Sequence, residues 1–493
     1  MTTPSPDTSA PQPVSGRAIA HSPTGARFLV LLLALIWPAQ LLTAAGVANG
    51  MVTAGIAQAF QTTQVVWFGL AYTLVATLLT PVAARLGDVF GKKKIMIGMT
   101  AIGLVGDLLV VLGPSYEMVV AGRALAGFYG PIAALVFATA RDVFPPQRVG
   151  LVSSLIGSSL GLTTAIAPLV AGPLLDAFGF RGPLWFVVFG TVVALLLLFT
   201  LPETPRRAAA QRFDILGSVL LGIATLSLIL AVNQGPIWGW TSTGVLGLFA
   251  ATVIAAVVFV LVELRQPEPL VDMKMLRRRG VYTVFASTAL LQGTVYAVAL
   301  VVTLLALFPP IPGVSDGLGW GGTKIALVTA PGQLLCFLIG FLVGRMSTRW
   351  DPRRPWLIGS VVVIAGLASF AFLHQNELQI AFSAILFGIG VGIIMATSPL
   401  LVLGTVSPEE QGMANGMQVL LVGLVNTIAS AVIFTVMAGA GTVMEGIQFY
   451  SDASFRDAYL VAGAIVVLSL LVSLTIPRVL KTSEIRSGDA LVS

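Results

Sequence analysis

The chain is 493 residues long, 56% hydrophobic and only 10% charged, with a mean hydropathy of +0.95. Soluble domains carry about 25% charged residues, so this composition excludes a water-covered globular protein and predicts one large lipid-covered domain. The formal charge of +6 does not mark a nucleic-acid partner, because Lys and Arg lie in short clusters between apolar runs, as membrane topology requires.

Residues 1–27, rich in Pro, Ser and Thr, read as a disordered cytoplasmic tail. They lack the short apolar core and cleavage site of a signal peptide. Apolar runs of about 20 residues then follow, the length a helix needs to cross the hydrocarbon. They lie at 28–50, 60–83, 95–113, 117–139, 150–173, 183–201, 214–233, 244–264, 280–308, 323–345, 355–373, 378–404, 412–438 and 457–476. Residues 477–493 form a second tail. Runs of this length in lipid are helices, because only a helix satisfies its own backbone there. The expected class is therefore all-α integral membrane, with 14 transmembrane helices.

With both termini placed on the cytoplasmic side, 23 of the 27 Lys and Arg residues fall on that side, and the positive-inside rule fixes the orientation. The segment Gly130–Gly150 (GPIAALVFATARDVFPPQRVG) is laid out like Gly392–Gly412 (GIIMATSPLLVLGTVSPEEQG), with Pro146 falling on Pro408. A duplicated bundle with its binding site between the halves is a common transporter plan. This divides the chain into an N-terminal six-helix bundle at 28–201, an inserted pair with flanking loops at 202–279, and a C-terminal six-helix bundle at 280–476.

Catalysis finds no support, and no cofactor or metal is expected. The single cysteine, Cys336, has no disulfide partner. Of the two histidines, His21 falls in the tail and His374 in a predicted loop. That placement argues against a buried histidine relay, a His/Cys metal site and a Ser/His/Asp triad. No glycine-rich phosphate loop with a lysine is present to bind ATP.

Asp107 and Arg123 each lie eight positions from the turn centred near Ser115, which places them about 12 Å deep on two antiparallel helices. A charge there costs several kcal/mol unless paired or wet, so an intramembrane Asp107–Arg123 ion pair is expected. Two readings stay open: a static pair pinning two helices, or a carboxylate that titrates during transport. Polar and aromatic residues on otherwise apolar spans, Gln40, Asn49, Trp67, Tyr129, Gln292, Tyr296, Gln333, Gln418 and Asn426, are candidates for a mostly neutral cavity that suits an amphipathic ligand. Individually each serves equally well as a helix-to-helix hydrogen bond.

Several stretches carry a family likeness. Ala84-Arg85-Leu86-Gly87-Asp88-Val89-Phe90-Gly91-Lys92-Lys93 resembles the G-x-L-A-D-R-x-G-R-R signature of the major facilitator superfamily, with Ala84 and Val89 as departures. A weaker copy at Gly344 to Arg354 has Thr348 in place of the acid. Arg123-Ala124-Leu125-Ala126-Gly127 resembles R-x-x-Q-G, and Ala167-Pro168-Leu169-Val170-Ala171-Gly172 the G-P-x-x-G-G antiporter motif. Phe213-Asp214-Ile215-Leu216-Gly217 and Gly235-Pro236-Ile237-Trp238-Gly239-Trp240 resemble text of the fourteen-span drug:proton antiporters.

The resemblance implies a major facilitator fold, two six-helix bundles plus two inserted helices. It implies proton-coupled export of a hydrophobic or amphipathic drug or metabolite by a monomeric protein, with the substrate, protons and membrane lipids as partners. Asp88, Gly91, Lys92, Lys93, Pro168 and Gly172 become candidates for conformational gating, Asp107 and Arg123 for proton coupling. The first span, LLTAAGVANGMVTAGIAQAF, carries no acid, where drug antiporters of this type usually place an aspartate. That departure keeps open a proton-independent facilitator or lipid/metabolite exporter; a membrane sensor is a remoter alternative. The high Ala, Gly and Val content fits a GC-rich bacterial source, and the expected location is the bacterial cell membrane.

Overall fold

A computed structural model of the protein describes residues 25–62, 64–203, 215–266, 273–346, 351–406, 411–444 and 447–477. Most of the two expected tails, Phe213, Asp214, Thr348 and the Asp88 side chain lie outside the described residues. The described parts of the apolar runs are mainly helical. In chain order the helices are α1 (Ala26–Ala59), α2 (Val66–Phe90), α3 (Lys92–Leu112), α4 (Tyr116–Ala126), α5 (Ile132–Val143), α6 (Pro146–Phe178), α7 (Arg181–Thr200) and α8 (Ile215–Trp238). There follow α9 (Thr243–Glu263), the single turn α10 (Met273–Leu276), α11 (Arg279–Leu307), α12 (Gly322–Met346), α13 (Arg353–Phe372), α14 (Glu377–Leu403), α15 (Gln411–Gly439) and α16 (Asp452–Leu474). Among the described residues, eleven helices are long and apolar enough to cross a membrane, with shorter apolar stretches at Trp67–Ala76 and Val219–Val232.

The differences from the sequence reading have local causes. The first helix runs to Ala59, because the small apolar residues after Gly50 continue the pattern. The span expected at 117–139 is split into α4 and α5 by a tight turn, Gly127–Tyr129. Pro131 has no N–H to give, and Gly127 and Gly130 let α2 approach: a Cβ on either would strike Tyr72 and Val75 or Ala76. Two small hairpins also occur. Strands β1 (Pro310–Ile311) and β2 (Ser315–Asp316) pair antiparallel, as do β3 (Thr442–Met444) and β4 (Ile447–Phe449). The Asp316 N–H donates to Tyr450 O at 3.1 Å, and Phe308 packs edge-on against Phe449 and Tyr450.

The two ends of the molecule differ chemically. At one, the basic end, Arg353 donates to Leu474 O at 2.7 Å and Lys93 to Leu201 O at 2.6 Å. At the opposite end helices begin on side-chain caps: Ser115 for α4, Ser242 for α9, Asn376 for α14 and Ser451 for α16. Gly91, at φ +97°, makes the one-residue turn between α2 and α3 that a side chain would strain.

Buried apolar residues gather in separate clusters: those of α1 to α7, and one of α10 to α16 that takes in Ala54 from α1. The α8–α9 pair packs on itself, and α8 touches both α2 and α15. Small residues set the close helix contacts. A Cβ on Gly106 would meet the backbone of Gly122 and Ala126, joining α3 to α4. One on Gly388 would meet Gly332 and one on Gly392 Cys336, joining α12 to α14. Gly106→Val is expected to lower stability by about 1–3 kcal/mol through overpacking. Gly157→Ala, where a Cβ meets nothing within 4 Å, is expected to be neutral or mildly stabilising. Thermal unfolding in detergent compares the two.

Candidate transport pathway

Asp107 and Arg123 face a common layer of α3 and α4 but do not form the expected ion pair. The Asp107 carboxylate, only 4% exposed, accepts from Thr191 Oγ1 of α7 at 2.7 Å and from Tyr129 Oη at 3.2 Å. Arg123, 5% exposed, donates from Nε to Phe68 O of α2 at 2.9 Å. Its guanidinium lies 4.8 Å from the ring centres of both Phe68 and Tyr72. The physical reason is geometric. The Gly127–Tyr129 turn brings Tyr129 over Gly103, where its ring occupies the space of a Cβ, and its hydroxyl reaches the acid. The guanidinium is drawn to α2, where a carbonyl and two aromatic faces accept its charge.

At the basic end the expected gating lysines hold helix ends together. Lys92, 3% exposed, pairs with Asp142 Oδ2 of α5 at 2.6 Å. Lys93 donates to Phe199 O at 3.1 Å and Leu201 O at 2.6 Å, at the carbonyl end of α7, where the helix dipole favours a cation. Asp142 escaped the sequence reading; its signal was a lone acid beside Arg141 at a predicted helix end.

At the opposite end Gly172 of α6 meets Gly322 of α12 so closely that a Cβ on either would strike the other's carbonyl oxygen. One turn further, Asp176 accepts from the Gly322 N–H at 2.6 Å and the Thr323 N–H at 2.8 Å. A carboxylate on the free amides of a helix start is a charge-assisted contact. Pro168 sits in α6 four residues before Gly172. Sequence reasoning found Gly172 and missed Asp176, because only the fold brings α12 against α6.

The cavity candidates divide. Gln292 Nε2 and Tyr296 Oη of α11 both lie 3.9 Å from Met395 Sδ of α14, and Tyr296 is half exposed. Gln418 of α15 donates to Ser398 of α14 at 2.5 Å. These groups line the α14 side of one bundle. Gln40 serves as a helix-to-helix bond, donating to Ile156 O and Ser159 Oγ of α6 at 3.0 and 2.8 Å. Asn49 is 7% exposed, and neither atom of its amide has a partner. Asn426 packs its backbone against Gly293 and lies 3.5 Å from Ser430 Oγ. Trp67 and Gln333 are half-buried and are not drawn into these groups. Met395, Ser398 and Thr191 are the partners that sequence reasoning missed.

His374 requires a correction. It lies beyond α13 in a loop, as expected, yet it is 4% exposed rather than free in water. Its Nδ1 is 2.7 Å from Phe370 O and its Nε2 3.0 Å from Asp452 Oδ1. Loop placement does not leave it in water, because the start of α16 covers that loop.

Asp176→Ala is expected to let the adjoining ends of α6 and α12 separate. Asp176 is exposed, so its charge on the start of α12 contributes about 0.3–2 kcal/mol, a shift of up to about thirtyfold in the closed-to-open ratio. Spin labels at Phe178 and Leu327, both exposed, report the distance. An unchanged distribution would mean that the Gly172–Gly322 contact alone holds these ends.

The sequence matches the Major Facilitator Superfamily over residues 36–430 and 294–489. It is 28% identical over 361 residues to an uncharacterized MFS-type transporter of Mycobacterium tuberculosis, covering 71% of this chain and 50% of that protein. The chain thus spans about half the length of that relative. It is 25% identical over 437 residues to the tetracenomycin C resistance and export protein of Streptomyces glaucescens, covering 85% of this chain and 78% of that protein. Among solved structures it resembles the POT family transporter PepTSo with a TM-score of 0.65 at 13% identity, covering 95% of this chain and 99% of that one. Relatives and fold alike are those of transporters, not enzymes. Matched along most of its length by the family's model and built mainly of long apolar helices, the chain is a multi-pass membrane member of the Major Facilitator Superfamily.

Proposed function

We propose that the protein exports a hydrophobic or amphipathic small molecule by proton antiport and alternating access. In this reading it is one of the fourteen-span drug:proton antiporters. Bundles at 28–201 and 280–476 rock about a central cavity, and the pair within 202–279 is an insert that bridges them. The basic end is cytoplasmic and holds both termini, in a bacterial inner membrane. Relatives named for multidrug resistance and for tetracenomycin C resistance and export support the direction and the cargo class.

The observation that carries the proton reading is the environment of Asp107. A carboxylate buried in hydrocarbon without an ion-pair partner is costly when charged. Here two hydroxyls, from Thr191 and Tyr129, face it, and these serve the ionised and the protonated forms alike, since a hydroxyl both donates and accepts. Binding and release of a proton there changes the bonds of Tyr129, which stands at the break between α4 and α5. That break interrupts the regular helical ladder, and it is there that the helix bends. Gln292, Tyr296 and Met395 offer the cargo a soft surface with few fixed hydrogen bonds, which suits varied amphiphiles. The Asp176 contact keeps the end opposite the basic one closed in this conformation.

A second reading keeps the fold and drops the proton. The buried polar groups of α1 are neutral, Gln40 bonded to α6 and Asn49 whose amide has no protein partner; a carrier whose N-terminal bundle binds cargo through the Asn49 amide needs no coupled ion.

The deciding assay uses proteoliposomes with an imposed pH gradient, screened over lipophilic cations and neutral amphiphiles. Wild type is expected to release protons against substrate movement. Asp107→Asn is expected to abolish that coupling, losing at least about tenfold in gradient-driven accumulation while still binding substrate. Substrate movement without proton flux would favour the second reading.

A further inference from the structure

Helix α11 crosses α15 at Gly293, where the absent side chain admits the Val425 and Asn426 backbone. Between that crossing and the basic end, α11 turns an exposed face, Tyr282 and Ala286, to a groove that α15 and α16 flank without filling. On the α15 side the groove encloses about 510 Å³ walled by apolar groups such as Leu290, Leu421 and Val425. On the α16 side about 590 Å³ ends at Arg279, Thr283 and Thr475. Tyr282 and Ala286 line both parts, so the two spaces are one feature around a half-exposed tyrosine.

Its dimensions and chemistry select an occupant. From Arg279 to Leu290 the helix climbs eleven residues, about 17 Å, close to the roughly 15 Å depth of one hydrocarbon leaflet. The deep part is apolar. The polar part sits where headgroups lie, and Arg279 is exposed there beside the exposed Arg277. The groove is also separate from the polar cargo surface, since Gln292 and Gln418 turn toward Met395 and Ser398 of α14. A ligand that fits is anionic at one end and apolar for one leaflet's depth.

We propose that this groove is a binding site for an anionic phospholipid. Its phosphate rests on Arg279 with the hydroxyls of Tyr282 and Thr475 nearby, and an acyl chain lies between α11 and α15. The assignment is independent of cargo and of proton coupling. Only its placement in the cytoplasmic leaflet rests on the orientation proposed above.

The test uses the full-length protein in detergent, with phosphatidylglycerol, phosphatidylcholine of the same chains, and glycerol phosphate as probes. Native mass spectrometry counts retained lipid, and thermal unfolding reads protection. Wild type is expected to retain phosphatidylglycerol about tenfold better than phosphatidylcholine. Arg279→Gln and Ala286→Trp, one removing the charge and the other filling the groove, are each expected to abolish most of that preference, about five- to tenfold. Tyr282→Ala replaces Ala286→Trp if the latter does not fold, as judged by gel filtration. Three results overturn the proposal: equal retention of the two lipids, loss with Arg279→Gln but not with the groove variants (a surface-charge effect), or full protection by glycerol phosphate alone (a small-anion site).

Discussion

Helices in hydrocarbon gain little by burying apolar side chains against one another, because lipid is equally apolar. What fixes their arrangement is how closely backbones approach. In this chain glycine decides that at each functional point. Gly106 and Gly122 press α3 on α4, and the next residues along, Asp107 and Arg123, are thereby set in one layer. Gly172 and Gly322 press α6 on α12, and one turn later Asp176 meets the amides that begin α12. Gly293 presses α11 on α15, and the groove around Tyr282 lies on the basic side of that crossing. Polar chemistry in this protein sits next to backbone contact because only there are two helices held in a fixed register.

That constraint explains why the buried acid and the buried arginine go separate ways. A direct pair between α3 and α4 would satisfy both charges within one hairpin and leave α2 and α7 uninvolved. Instead Arg123 reaches a carbonyl and two rings of α2, and Asp107 reaches a hydroxyl of α7. Four helices are then tied through one layer. A guanidinium between two aromatic faces keeps much of its solvation in a form that does not depend on the state of the acid. The carboxyl can change its protonation without stranding a partner charge, which a tight ion pair would not allow.

The helices were legible because lipid leaves few options: a run of about 20 apolar residues can satisfy its backbone only as a helix. That Asp107 and Arg123 share one layer of α3 and α4 was legible too, by counting from Ser115. Their partners were not, since Phe68, Tyr72 and Thr191 come from helices whose neighbours no local pattern specifies. The same holds for Asp176, whose role depends on α12 lying against α6, and for His374, which a loop assignment left in water and the fold buried. The break at Gly127–Tyr129 was written in Gly127, Gly130 and Pro131, but glycine and proline are ordinary in membrane helices and do not by themselves mark a break. The hairpins were missed because strands of two or three residues leave no period to read.

The charge asymmetry along the chain also limits what kind of contact each end can use. Every end of an alternating bundle presents both helix starts and helix finishes. Where Lys and Arg are concentrated, the finishes find partners, as Lys93 does on α7 and Arg353 on α16. At the opposite end, where cations are few, helix starts are served by hydroxyls, an amide and Asp176. Contacts of a charge with a helix end contribute roughly 0.3–2 kcal/mol each, comparable to the few kcal/mol that separate conformations of a switching protein. In the alternating-access reading proposed above, a single carboxylate on two amides is strong enough to populate a closed end and weak enough for bound cargo to open it.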